Sequence, residues 1–249
     1  MRLMRTLPVL LFFVLWELVV KLGFVKPYLL SPPSAVIVTL IELSLSGDMP
    51  EHISYSLYRA LGGFALAALI AIPLGIAMGW SKRADDLASP LVELFRPLPS
   101  VALIPVAILW LGIGNTSKIA LIAFACFFPI LLNTISGVRG VDVTLVKVAR
   151  SMGASNREVL RQVMFPGALP SILVGLRISL AVSLIVLIVM EMIGSAHGVG
   201  YFIYTSKLTF RTDEMYAGIL VIGLIGFALN EIMMVVSRRL LVWRPEAGN

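Results

Sequence analysis

A single cysteine, Cys126, rules out a disulfide within the chain. The two histidines, His52 and His197, lie far apart and create no metal-ligand spacing. None of the six lysines is followed by Ser or Thr, so the Gly-x-x-x-x-Gly-Lys-Ser/Thr loop that cradles nucleotide phosphates is missing. The chain therefore does not hydrolyse ATP by that device. No paired acids, His–Cys cluster or activated serine arrangement marks a membrane enzyme. Linkers, internal repeats and low-complexity tracts are also missing. Charge is scarce: 14% of residues are Asp, Glu, Lys or Arg, where a soluble domain carries about 25%.

What fills the chain is apolar. Hydrophobic residues make up 59% of its 249 positions, and mean hydropathy is +0.96. This balance specifies a polytopic membrane protein. The pI near 9.7 reflects Lys and Arg anchoring loops at the membrane, and no nucleic-acid partner is expected. A span needs about 20 mostly apolar residues. Six segments qualify, over 7–22, 57–80, 97–113, 117–138, 169–193 and 215–236. The expected fold is an all-α membrane protein of six transmembrane helices, one transmembrane domain over 1–249. The third segment holds Pro97, Pro99 and Pro105, which a span tolerates when neighbouring helices satisfy the freed backbone groups. The second holds Gly75 and Gly79, a small-xxx-small step that allows close helix approach.

Thirteen of the twenty Lys and Arg fall on the side of the N-terminus: Arg2, Arg5, Lys82, Arg83, Arg96, Arg139, Lys147, Arg150, Arg157, Arg161, Arg238, Arg239 and Arg244. Six fall on the other side, and Arg177 lies inside the fifth span. The asymmetry places both termini in the cytoplasm. Arg2, Arg5 and the apolar run after them look like a secretion signal, but no small-x-small site follows and Trp16 and Glu17 interrupt the run; an uncleaved first span is expected. After it, "SPPSAVIVTLIELSLSG" is too short to span. Pro32 and Pro33 break the chain, Ser34 is a candidate cap, and Val36, Ile37, Leu40 and Ile41 follow helical spacing. A helix lying at the outer interface fits; an irregular loop packed on its neighbours is the alternative.

The stretch between spans four and five stands apart. "KVARSMGASNREVLRQVMFPGALPSIL" gathers Lys147, Arg150, Arg157, Arg161 and Glu158. Asp142 is a candidate N-cap for a helix over 143–152, with Leu145, Val148, Ala149 and Met152 on its apolar face. Gly153 falls where a helix ends in the left-handed conformation. Ser155 and Glu158 have the spacing of a capping box, starting a second short helix that Pro166 is expected to stop. The segment 142–166 thus reads as helix, tight turn, helix on the cytoplasmic side. A positive loop lying on anionic headgroups would explain the arginines; the structured double helix with its small-residue apex favours a docking element.

That stretch resembles the cytoplasmic signature of inner-membrane permease subunits of bacterial ATP-binding cassette importers. The family pattern is Glu-Ala-Ala, three residues, Gly, nine residues, then Ile-x-Leu-Pro. Here Lys147, Val148 and Ala149 take the first positions, Gly153 the glycine, and Val163 to Pro166 the end. The acid is replaced by Lys147, so a salt bridge made by that Glu elsewhere is not expected here. "ELFRPLPSVALIPVAILWLGIGNTSKI", "PGALPSILVGLRISLAVS" and "MEMIGSAHGVGYFI" are similar to the nitrate, sulfonate and taurine branch, over nearly the whole chain.

The resemblance implies a bacterial inner-membrane permease working as a homodimer with two cytoplasmic ATPases and a periplasmic or lipid-anchored solute-binding protein. It carries no cofactor itself; ATP and magnesium belong on the ATPase. Ser151, Met152, Gly153, Ala154, Ser155, Asn156, Arg157 and Glu158 map to the coupling helix, and Pro166 to the signature's end. The branch implies small anionic or organic solutes. A secondary transporter or channel would instead mark its path with intramembrane charges. The candidates are Glu17, Arg177, Glu191 and Glu231. Arg177 and Glu191, with Gly198 and Gly200 beyond the latter, are pathway or gate candidates; a structural role for each is the alternative.

Overall fold

The computed structural model of the chain describes residues 2–26 and 29–242. Its elements in order are α1 (Arg2–Lys21), α2 (Pro33–Ser46), α3 (Asp48–Trp80), α4 (Lys82–Phe95), a 3-10 turn (Ser100–Leu103), α5 (Ile104–Leu111), α6 (Asn115–Arg139), α7 (Val143–Ser151), α8 (Asn156–Val159), a π turn (Leu160–Met164), α9 (Phe165–Gly194), α10 (Val199–Leu208) and α11 (Thr212–Leu240). No strand occurs among the described residues. Among the described residues, four helices are long and apolar enough to cross a membrane: Asp48–Trp80, Asn115–Arg139, Asn156–Gly194 and Thr212–Leu240. The pair Lys82–Phe95 and Ser100–Leu111, bent by 81°, makes a fifth if read as one broken span.

That bend corrects the expected third span. The apolar run over 97–113 is not one helix but a 3-10 turn followed by the eight-residue α5. The preceding residues, between the expected second and third spans, form α4, capped by Ser81. Proline explains the break: Pro97 and Pro99 donate no N–H, and each disfavours helix in the residue before it. Pro105 sits at the start of α5, where its missing N–H costs nothing.

By contact the chain divides into two compact units, residues 1–57 with 188–225 and residues 58–187 with 226–249. In the first unit, Met49, Val199, Phe202 and Val221 form a core joined by Leu40 and Leu43 of α2. The packed face of α2 is thus Val36, Leu40 and Leu43, while Ile37, Ile41 and Leu45 are exposed. The cap of α2 also differs from expectation. Pro32 is the N-cap and Pro33 begins the helix. Ser34 gives its N–H and its hydroxyl to Glu17 (3.0 and 2.7 Å). A carboxylate from α1 therefore covers the start of α2.

The second unit is built on close helix contacts. Glycines of α3 lie directly against α6. A Cβ on Gly63 would meet Ile122 at 2.6 Å, one on Gly75 would meet Thr134 at 2.7 Å, and one on Gly79 would meet Val138 at 2.6 Å. The Gly75–Gly79 step is therefore used inside the chain. Gly137 packs on Ser171 and Gly175 on Asn133 in the same way, joining α6 to α9. Cys126 is fully buried there; its thiol donates to the Ser179 carbonyl (3.2 Å), and the Ser179 hydroxyl donates to the Cys126 carbonyl (2.9 Å).

Candidate functional site

The hairpin forms as its caps specify. Asp142 accepts the N–H of Thr144 at 2.7 Å, starting α7. At the other end Gly153 has φ +85°. Its N–H donates to the Arg150 carbonyl and that of Ala154 to the Ala149 carbonyl, 2.9 and 3.1 Å. These two bonds are the Schellman closure, which glycine adopts without a Cβ penalty. The capping box is complete: Glu158 accepts the Ser155 N–H (2.8 Å) and hydroxyl (2.7 Å), and Ser155 accepts the Glu158 N–H (3.4 Å). The hydrogen bonds from Ser155 hold the Glu158 carboxyl below its ordinary pKa, and those from Thr144 do the same for Asp142.

Two expectations are corrected. Pro166 does not stop the second helix: α8, the π turn and α9 run on as one helix over Asn156–Gly194. The π turn takes up the defect, because the Phe165 N–H reaches back to the Leu160 carbonyl. The wider turn makes room for a proline that neither donates nor tolerates a close carbonyl four residues earlier. The inward face of α7 also differs. Val146 and Ala149 pack on the cluster of Val138, Val159, Met164, Ala168 and Ile172, together with Ala154. Leu145, Val148 and Met152, expected inside, are exposed, as is Val143; Met152 is 82% accessible.

Ser151, Gly153, Ser155, Asn156, Arg157 and Glu158 are also exposed, and a Cβ at Gly153 would meet nothing within 4 Å. Arg150 donates to the Asn156 side chain (3.3 Å) across the turn. The hairpin thus presents a rigid apolar rim with basic flanks. The caps and the packing of the partly buried Ala154 hold the turn in place, so Ala154 anchors it.

The second group of candidates meets in the first unit. Glu191 is fully buried in α9. It accepts the Ser56 hydroxyl (2.9 and 2.8 Å to its two oxygens) and the Gly200 N–H (2.9 Å). Ser56 in turn accepts the Val199 N–H at 2.9 Å, and His52 Nδ1 accepts that of Gly198 at 3.1 Å. Three side chains thus satisfy successive N–H groups at the start of α10, donors that a helix leaves unpaired. Gly198 has φ +120°, and a Cβ there would run into the Glu191 carboxyl. A Cβ on Gly200 would press on the Ile188 carbonyl at 2.7 Å. Glu191, Gly198 and Gly200 are therefore drawn together into a closed cap, with no open surface at the carboxyl. Sequence reading missed Ser56 and His52; nothing but their place ahead of an apolar run marks them.

Arg177 belongs to the second unit. Its Nε donates to Asn230 Oδ1 at 2.8 Å, linking α9 to α11. Asn230 was missed too, although an amide inside an apolar run over 215–236 is the available signal. Glu17 serves α2 and pairs with Lys21 (2.8 Å). Glu231 is half-buried beside Asn230.

Long apolar helices with a capped polar hairpin between two of them define a membrane-protein architecture. Residues 71–241 match the family described as "Binding-protein-dependent transport system inner membrane component", and the chain belongs to it. It is 37% identical to the "Putative aliphatic sulfonates transport permease protein SsuC" of Bacillus subtilis (strain 168) over 92% of this chain and 83% of that protein. It is 38% identical to the "Taurine transport system permease protein TauC" of Escherichia coli (strain K12), over 97% and 89%. The fold matches a chain of the MetNI methionine ABC transporter in inward-facing conformations, TM-score 0.65 at 18% identity, covering 76% of this chain and 94% of that one.

Proposed function

We propose that this chain is the permease subunit of an ATP-driven importer of small sulfonate-, taurine- or nitrate-type solutes, delivered by a solute-binding protein. The observation that carries the reading is the hairpin's exposed apolar rim, Leu145, Val148 and Met152, held rigid by two cap motifs. Exposed apolar residues on a structured element favour a protein partner over water. A cytoplasmic ATPase of complementary groove is that partner, and it carries the ATP and magnesium. Two permeases and two ATPases form the assembly. The substrate class follows the relatives named for sulfonates and taurine.

In this reading the chain is one permease domain. α1, α3, the bent pair, α6, α9 and α11 make six spans, α2 lies at the outer face, and both termini are cytoplasmic in a bacterial inner membrane. ATP-driven closure of the ATPases draws residues 151–158 of the two copies together. The continuous helix over Asn156–Gly194 begins within that coupling segment. At its outer end the Glu191 cap makes α10 move with α9. Gly198 and Gly200 are then required for the cap's close approach.

The test is Val148→Asp with Met152→Asp. Both side chains are exposed, so the membrane level of the permease stays normal while co-purification with the ATPase and solute uptake are lost. Native mass spectrometry of the parent complex shows two permease copies. A doubly substituted protein that retains its ATPase refutes the docking surface; one permease copy per complex refutes the dimer. A channel or secondary transporter would keep uptake in the doubly substituted protein.

A further inference from the structure

Arg177 is a cation in the interior of an apolar helix. It lies eight residues beyond Leu169, about 12 Å along the helix axis at 1.5 Å per residue. An arginine within an apolar span is costly, and such residues characteristically face a cavity or a partner. Its partner within the chain is partial. Asn230 takes the Nε hydrogen, and no carboxylate pairs with Arg177 among the described residues. A guanidinium offers five N–H donors in a planar fork, so four remain on the two Nη atoms. The Asn230 bond fixes the plane of that fork.

A groove of about 300 Å³ adjoins it, lined by Arg177 and Asn230 and otherwise by aliphatic residues including Leu180, Ala181, Leu184 and Leu229. Gly226 forms part of its wall. A Cβ there would only touch Leu184 at 3.4 Å, so glycine is not required for packing; its small size keeps the groove open. The Arg177 side chain borders this aliphatic slot, and a guanidinium beside such a slot complements a tetrahedral or planar oxyanion carrying a short apolar tail. Bidentate contact to such oxygens is what arginine does better than lysine.

We infer that Arg177, oriented by Asn230, is the oxyanion contact of the solute inside the permease, with the groove taking the solute's alkyl part. The inference rests on the importer reading above but is tested separately from it. A lipid phosphate offers the same oxygen chemistry, and the experiment distinguishes the two.

The purified permease–ATPase complex is heated with ethanesulfonate or with its neutral counterpart ethanesulfonamide. Ethanesulfonate raises the unfolding temperature of the parent, the amide does not, and Arg177→Gln loses the effect while Arg177→Lys keeps part of it. Gly226→Leu, which fills the slot without touching the charge, also loses it. In proteoliposomes with the binding protein, taurine turnover falls on the order of tenfold or more in Arg177→Gln, the loss expected when a charge-assisted hydrogen bond is removed. Its half-saturation concentration is unchanged, because the binding protein captures the solute. Asn230→Ala lowers turnover less, and Asn230→Gln, which keeps the amide acceptor, restores part of it.

An ethanesulfonate effect that survives in Arg177→Gln overturns the inference. So does an Arg177-dependent stabilisation by phosphatidylglycerol nanodiscs in place of the sulfonate; that outcome assigns the site to lipid. A parent complex stabilised by ethanesulfonate that transports no sulfonate would refute the importer reading and leave the binding site standing.

Discussion

Replacing Glu191 by alanine tests whether the buried cap holds the start of α10. The carboxyl accepts the Ser56 hydroxyl and the Gly200 N–H in a site without solvent access. Each buried donor left without a partner costs about 1–3 kcal/mol. These two donors alone contribute about 2–6 kcal/mol to the loss in Glu191→Ala. Glu191→Gln keeps one acceptor oxygen and should cost about half as much. For a chain of this size the unfolding temperature moves about 2–4 °C per kcal/mol, so the alanine variant should unfold at least about 4 °C lower. The assay is thermal unfolding of the purified complex in one detergent. Ser56→Ala provides a cycle, because Ser56 touches both Glu191 and the Val199 N–H. Residues sharing a network couple by about 0.5–3 kcal/mol, so the double variant should lose less than the two single losses together. Glu191→Ala unfolding with the parent, or strict additivity with Ser56→Ala, would refute the cap.

Other consequences follow from the packing. Gly79→Leu should press a side chain into Val138 and lower stability by about 1–3 kcal/mol, read as reduced membrane level and unfolding temperature; an unchanged protein contradicts the α3–α6 contact. Cys126 should resist a maleimide in the folded protein and react after denaturation, since it is fully buried; fast labelling of the native form contradicts its position. The carboxyls of Asp142 and Glu158 have lowered folded pKa values through hydrogen bonds. Their support of the hairpin is therefore complete above the ordinary carboxylate range and fades only as pH falls through the lowered values. Carboxyl NMR shifts should titrate below the ordinary values; midpoints at or above them contradict the caps.

The hairpin was legible because its determinants are local. An N-cap at Asp142, a glycine at 153 and a serine three residues before Glu158 act through bonds between near neighbours, so residue order alone specifies them. The apolar spans were legible for a related reason: hydrocarbon demands length and apolarity, both countable along the chain. Class and family signature came with them.

What the tertiary structure decided lies wherever a contact joins distant positions. The face of α7 could not be read from periodicity, because Val146 and Ala149 are inside only where the π turn offers Met164 and α9 offers Ile172. Pro166 reads as a stop until the π turn absorbs it. The Gly75–Gly79 step permits close approach to any helix, and α6 of the same chain supplies Thr134 and Val138. Glu191 and Arg177, both charges in one apolar helix, look alike in sequence. Folding separates them: one is closed in by Ser56 and Gly200, the other keeps free donors beside a groove with Asn230. Sequence carries the cost of burying a charge, and only the positions of its neighbours determine how that cost is met.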